Sequence, residues 1–394
     1  MRTLELTIME HGVDFQRTFE AIVRRFEARY HISVQITWLS WETAWSTLVE
    51  RVVHRRVPHV SEIGSTWIRV FQAMEALRPF TEQEMHALGV PSRFFPIAVT
   101  TASLEGQLWG IPWMIDPRVI FYRKGILEKA CIPFDPHEAF SSPDRIEQSL
   151  AQISLTGVPR PWIVPTRAER ITVHHIASWI WSYGGDFVSS DGSKVTFTEE
   201  PALTGIRKYF QLSRWMGDSI PLLSTLDAND CFYRGEAAVT ISGLWIWTLE
   251  GRQAPQRIGI ARPPGPAFVG GSHLVIWKDG EHLLPEALEL IRYLTDSENL
   301  SVLAGVSSTS PPALPSLVPE AVRGLSEVEI QLLLEVIQQG RTLSDIRLWG
   351  IIEERLLQAF GSIWESLASG MEIDQAIQRH LVHIAPSLNY VLRT

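Results

Sequence analysis

The sequence predicts an α/β fold built as two interleaved units flanking a ligand cleft. Three observations carry that reading. The chain has 394 residues, which at roughly 100–200 residues per domain makes two domains rather than one. Its first third alternates between strand and helix periods. Two later breaks, rich in Pro and Ser, surround a second run of helices and strands, so that the chain passes between units more than once. Clefts of this kind are preferred sites for small ligands, lined by loops at the carboxyl ends of parallel strands.

The elements follow from residue periodicity. Leu4, Leu6 and Ile8 recur at every second position, as a strand with one covered face requires. Phe15, Phe19, Ile22, Val23, Phe26 and Tyr30 then fall three and four apart, the stripe of an amphipathic helix. Alternation returns at Ile32, Val34, Ile36 and Trp38. A second helical stripe, Trp45 to Val53, leads to a short strand around Val60 and Ile63. This βαβαβ order defines an α/β unit. A third helix is expected from Trp67 to Leu77, stopped by Pro79. Gln107 to Lys124 reads as two extended stretches interrupted by Pro112 and Pro117, which disfavour helix at the residues before them.

Beyond a short helix near Ile126 to Ala130, helices at Arg170 to Trp181, Ala202 to Met216 and Glu286 to Thr295 are interspersed with strands at Ala237 to Ile241, Arg257 to Ile260 and His273 to Trp277. Ser326 to Leu392 is mostly helical. Crossings between units are expected near Pro112 to Pro117 and around Ser307 to Pro315. The expected division is 1–115 with 262–315 as an N-terminal lobe, and 116–261 with 316–394 as a C-terminal lobe.

Composition narrows the function. With 35 Lys and Arg against 44 Asp and Glu, the net charge of −9 lacks the basic footprint of a nucleic-acid binder. No apolar run approaches the roughly 20 residues of a membrane-spanning helix. Cys131 and Cys231 have neither CxxC nor zinc-ligand spacing, and two isolated buried thiols are expected. The start, Met1-Arg-Thr-Leu-Glu-Leu, has no signal-peptide core, so the expectation is extracytoplasmic if a signal was removed and cytoplasmic if Met1 is the native start. One count needs placing: 15 Trp outnumber seven Tyr.

The strand-end loops carry the candidates for solute binding. Glu10 and His11 follow the first strand, Trp41 and Glu42 the second, and Ser65, Thr66 and Trp67 the third. Ser40 and Thr66 serve equally as N-caps, and a first-turn Trp often packs on its own helix. Trp113, Asp116 and Arg118 lie close together in a non-helical stretch. Asp116 and Arg118 form either a plain ion pair or a carboxylate and guanidinium fork for ligand hydroxyls. Tyr183 and Gly184 follow two tryptophans that are two residues apart and cannot share a helix face. Trp245 sits on the turn after the strand ending at Ile241, and Gly271 and Ser272 precede another strand.

Catalytic constellations are poor. His174 and His175 are adjacent, so they point to different sides, and core or surface roles are expected of both. Glu353 and Glu354 lie in a helix pattern, and there is no HExxH, GxSxG, GxGxxG or Walker loop. No enzyme activity, metal or cofactor is expected, although two of 44 acids could still meet in space.

The stretch Gly106 to Ile132 resembles the signature of family 1 extracellular solute-binding proteins, the carbohydrate-binding components of ABC importers related to maltose-binding protein. Trp181 to Asp186, Gly235 to Trp245, Gly270 to Ile276 and Ala287 to Thr295 match in the same order, so the resemblance spans nearly the whole chain. It implies a type II periplasmic-binding-protein-like fold with a mostly helical C-terminal part. It also implies a monomer whose lobes close by hinge motion on a mono- or oligosaccharide and then dock on a transmembrane permease. In that frame Asp116 and Arg118 match an Asp-x-Arg, Trp245 matches a cleft Trp, and Trp349 resembles another stacking position. Cys131, Gly125 and Glu353 depart from the family pattern. Trp41, Trp67, Trp113, Trp245 and Trp349 are thus expected to face one cleft, where a sugar's apolar C–H face needs aromatic rings. The competing expectations are a cytosolic sensor or regulatory subunit of the same fold, and a binder of another polar solute, such as a glycerol phosphate ester or a polyamine.

Overall fold

A computed structural model describes residues 2–132, 136–246, 257–306, 310–343 and 346–393. The chain divides into two compact units, Met1–Asp116 with Val269–Arg323, and Pro117–Phe268 with Gly324–Thr394.

The first unit is built on a six-stranded sheet. Its strands run in the order Ser33–Leu39, Thr3–Met9, Val60–Gly64, Val269–Trp277 and Leu77–Arg78, with Ile111–Pro117 also pairing on Val269–Trp277. The first three are mutually parallel, as the βαβαβ periodicity requires, and Val269–Trp277 enters antiparallel with Ser272 opposite Gly64. Phe15, Phe19, Ile22, Val23 and Phe26 are the buried stripe of the helix Val13–Tyr30. Gly12 precedes it at φ 95°, a conformation that only glycine adopts readily.

Three expectations change here. The helix expected from Trp67 to Leu77 ends at Ala73: Glu75 turns into the left-handed region at φ 54°, and Leu77 is then free to pair with Trp277 as a strand. Gly270-Gly271-Ser272 is not a turn before a strand but part of it. A Cβ on Gly271 would lie 2.0 Å from the Met114 carbonyl oxygen, so glycine here serves close strand approach. Finally, Cys131 is exposed, at a left-handed φ of 52°, and only Cys231 is a buried thiol.

The second unit holds a four-stranded sheet in the order Ile258–Ala261, Val119–Arg123, Ala237–Ser242 and Arg160–Ile163. The last two strands are parallel and the other pairs antiparallel. Its core is aromatic. Trp162 meets Trp179 at 6.1 Å, Trp179 meets Tyr209 at 5.1 Å, and Phe210 meets Trp364 at 4.9 Å, with edge-on geometries that favour ring quadrupoles. The helix Arg170–Ser182 buries nine of its positions against these rings, so Arg170 and His174, four apart, share the less buried stripe.

The chain passes between units after Asp116, Phe268 and Arg323. The expected crossings fell earlier, at 115/116, 261/262 and 315/316; part of the last expected crossing, 307–309, lies outside the described residues. Segment 262–268 belongs with the second unit because Gly265 donates its N–H to Ser178 Oγ at 3.1 Å and Arg262 pairs with Glu335. Segment 316–323 belongs with the first, where Glu320 accepts from Ser301 at 2.5 Å.

His273 gives the fold a pH signature. Burial holds its imidazole at about 4, below the ordinary 6.5, and the Ala98 carbonyl that its Nε2 faces at 2.8 Å only partly offsets this. The unfolded chain takes up this proton near 6.5 and the native chain does not until about 4. Stability is therefore lost as pH falls through that window, by about 3 kcal/mol for this group. Urea midpoints measured across the window should fall in the parent, and His273→Leu should flatten the slope by about one proton.

Candidate functional site

In the first unit the candidates gather at the carboxyl ends of the parallel strands. The strand Val60–Gly64 is buried at every position, and it carries a carboxylate, Glu62, with 0% exposure. A buried charge must be hydrogen-bonded. Glu62 accepts from the Met9 backbone N–H at 3.0 Å and from Ser272 Oγ at 2.5 Å, and His11 Nε2 lies 2.9 Å from it. His11 itself is 1% exposed. Both His11 and Ser272 are thereby committed to a structural carboxylate rather than presented to a solute.

Above this knot stands a run of aromatic rings. Trp41 meets His11 at 6.4 Å and Trp67 at 5.8 Å, and Trp67 meets Trp45 at 5.5 Å. Trp67 and Ser65 are buried and Thr66 half-buried, whereas Trp41 begins the helix Trp41–Val53 with 39% of its surface exposed. Glu42, next to it in sequence, is exposed, as is Glu10 after the first strand. Trp113 is fully buried on Ile111–Pro117 with its edge toward Phe19, so it is a core residue rather than a stacking surface. Asp116 is buried at the end of this unit.

In the second unit the candidates converge on Arg118, which is only 5% exposed. Its backbone N–H donates to the Phe268 carbonyl at 2.8 Å. Its guanidinium lies 4.7 Å from the Trp245 ring and 5.5 Å from the Phe268 ring, within cation–π range of both. Arg118 Nη2 donates to His174 Nδ1 at 3.2 Å, and His174 stacks flat on Phe268 at 4.1 Å and 11°. The other ring nitrogen of His174 is 3.7 Å from Glu353, whose second oxygen accepts from Arg170 at 2.6 Å. Burial pushes the Glu353 carboxyl up, but the facing His174 ring and the hydrogen bond and charge of Arg170 outweigh it and hold Glu353 below the ordinary range. Burial, then Arg118 and His174, push the neighbouring His175 well below ordinary imidazole values, so His175 is neutral. Trp245 remains half-buried.

Three candidates lie away from this group. Tyr183 faces Asp144 and Lys208, and its phenol is raised by burial and then by Asp144. Gly184 beside it is an exposed turn residue at φ 74°. Trp349, expected to stack, is 3% exposed at the start of the helix Trp349–Ala368 and meets Phe187 edge-on at 5.7 Å. Its ring is packed into the unit's interior.

Three site residues were not singled out from the sequence, Glu62, Phe268 and Arg170, and His174 was given only a core or surface role. The first had a signal, an acid amid the apolar residues of a strand. Arg170 and His174 also had one, four apart on one face of a helix rich in apolar residues. Among the described residues no group of three or more His, Cys, Asp or Glu could hold a metal ion, and no helix is long and apolar enough to cross a membrane.

Residues 21–323 match the family described as bacterial extracellular solute-binding protein. The chain belongs to this family. A relative from Brucella abortus (strain 2308), described as a binding protein, is 22% identical over 279 residues, or 68% of this chain. The match spans 65% of that relative's length. Two solved structures share the fold. One is an ABC transporter solute-binding protein of Thermotoga lettingae bound with α-D-tagatose, with a TM-score of 0.82, 19% identity and 100% of both chains covered. The other is a maltose-bound protein of T. maritima, with a TM-score of 0.81, 19% identity, and 98% and 99% of the two chains covered. The type II periplasmic-binding-protein-like fold expected from the ordered motifs is therefore met.

The Glu62 knot separates structural from solute-contacting roles. His11→Ala should lower the unfolding free energy by about 1.5–3 kcal/mol, the range for a hydrogen bond to a charged group. Urea denaturation measures it; an unchanged midpoint would return His11 to the list of solute contacts.

Proposed function

We propose that this solute-binding protein takes a mono- or oligosaccharide and hands it to the transmembrane permease subunits of an ABC importer, on the outer side of the cytoplasmic membrane. The observation that carries the reading is Trp245, a half-buried indole braced on one side by a fixed guanidinium. A sugar ring offers an apolar C–H face and a rim of hydroxyls. An aromatic face beside a rigid fork of N–H donors complements both. In the first unit the exposed Trp41 is a second aromatic surface of the same kind. Relatives of this fold that hold tagatose and maltose support the solute class. The acidic charge balance fits a neutral solute better than a phosphorylated one, which would call for a cluster of cations. The work done is reversible binding, and no bond is made or broken.

Calorimetric titration with a panel of sugars and polyols tests this reading. At least one should bind, and Trp245→Ala should weaken it about tenfold or more, equivalent to about 1.4 kcal/mol. Two outcomes would overturn it: binding of a glycerol phosphate ester but no sugar, or a Trp245→Ala variant with the affinity of the parent.

A further inference from the structure

We propose that His174 is a positioning residue for solute binding, a proton-sensitive latch that holds the Arg118 guanidinium in place only while the imidazole is neutral. The inference rests on the reading that Arg118 and Trp245 meet the solute.

Hydrogen-bond polarity carries the argument. A guanidinium has only donors, so at 3.2 Å from Arg118 Nη2 the Nδ1 of His174 must be the acceptor. The single proton of the neutral ring then sits on Nε2, the nitrogen that faces the Glu353 carboxylate at 3.7 Å. The ring is thus oriented with its lone pair toward a cation and its N–H toward an anion. Phe268 fixes its plane by stacking at 4.1 Å, and Arg170 holds Glu353 from the far side at 2.6 Å.

Protonation reverses one end of this arrangement. A second N–H at Nδ1 would confront the N–H of Arg118, and two cations would meet at hydrogen-bond distance. Among the described residues, titratable groups on two helices face or border His174. On its own helix are His175 and Arg170, and on the helix Trp349–Ala368 are Glu353 and, through Arg170, Glu354 at 3.4 Å. Glu353 favours the imidazolium and Arg118 opposes it. Whichever state prevails, the Arg118 bond survives only in the neutral one. Acidification therefore releases Arg118 from His174, and the guanidinium loses its fixed place over Trp245. Protons and solute compete, so affinity falls as His174 takes up its second proton.

Two measurements on the whole protein test the latch. The first needs no solute: the ¹⁵N resonances of the His174 ring at neutral pH should show Nδ1 unprotonated and Nε2 protonated, and the Trp245 ring resonances should move along the same titration curve on acidification. A protonated Nδ1 at neutral pH, or Trp245 resonances that ignore the His174 titration, overturns the proposal. The second uses the tightest-binding sugar of the panel, titrated at about pH 7.5 and about pH 5 on either side of the imidazole range. The parent should lose affinity about tenfold or more on acidification. His174→Asn, which keeps an acceptor at the Nδ1 position but does not titrate, should lose much less. His174→Leu should bind weakly at both values. Equal pH dependence in the parent and His174→Asn overturns the latch even if both bind sugar. If no sugar binds at either pH while the ring resonances behave as described, the carbohydrate reading fails and the latch stands.

Discussion

A buried guanidinium is the constraint around which the second unit's site is arranged. Arg118 cannot lose its charge, and the effective penalty of burying an ion is several kcal/mol. Three of its contacts contribute compensation. Trp245 and Phe268 offer ring faces, each worth up to about 2 kcal/mol to a desolvated cation, and His174 adds a hydrogen bond to a charged group worth about 1.5–3 kcal/mol. These contacts are of the same order as that penalty and hold the cation in this geometry. Rigidity of this sort lowers the ordering cost of binding a polyhydroxylated solute. His174, Glu353 and Arg170 then matter through Arg118, even though helix and core positions would otherwise read as packing.

The first unit uses similar chemistry to another end. Glu62 is also a buried carboxylate facing an imidazole, but its remaining partners are the Met9 backbone and Ser272. They tie the end of one parallel strand to its neighbour and to the antiparallel strand Val269–Trp277. The knot fixes the base on which Trp41 and Trp67 stand. In one unit the carboxylate–imidazole pair supports backbone, and in the other it supports a side chain that can meet a ligand.

Fold was far more legible than site. The strand and helix periods of the first third placed the first two parallel strands and the helix between them, although Val60–Gly64 is buried at every position. The ordered motifs from Gly106 to Thr295 added the family, which matches residues 21–323. The error over Trp67 to Leu77 arose because the periodicity of six residues of helix runs smoothly into a two-residue strand, and only pairing with Trp277 tells them apart. The tryptophan excess misled for a related reason. A ring at a strand end or helix start looks available in sequence, yet Trp113, Trp67 and Trp349 are absorbed by neighbours distant in the chain, such as Phe19 and Phe187. Trp41 and Trp245 keep exposed surface. His174 was discounted because adjacent histidines diverge, which is true of His174 and His175. Its partners, Arg118 and Glu353, lie too far along the chain for spacing to reveal them.

The most direct test of the account is a structure of the protein determined with its bound sugar. The account expects the apolar face of a sugar ring against the Trp245 indole and at least one hydroxyl oxygen accepting from the Arg118 guanidinium, with Arg118 still bonded to His174. A sugar bound elsewhere, with Trp245 and Arg118 untouched, would contradict it.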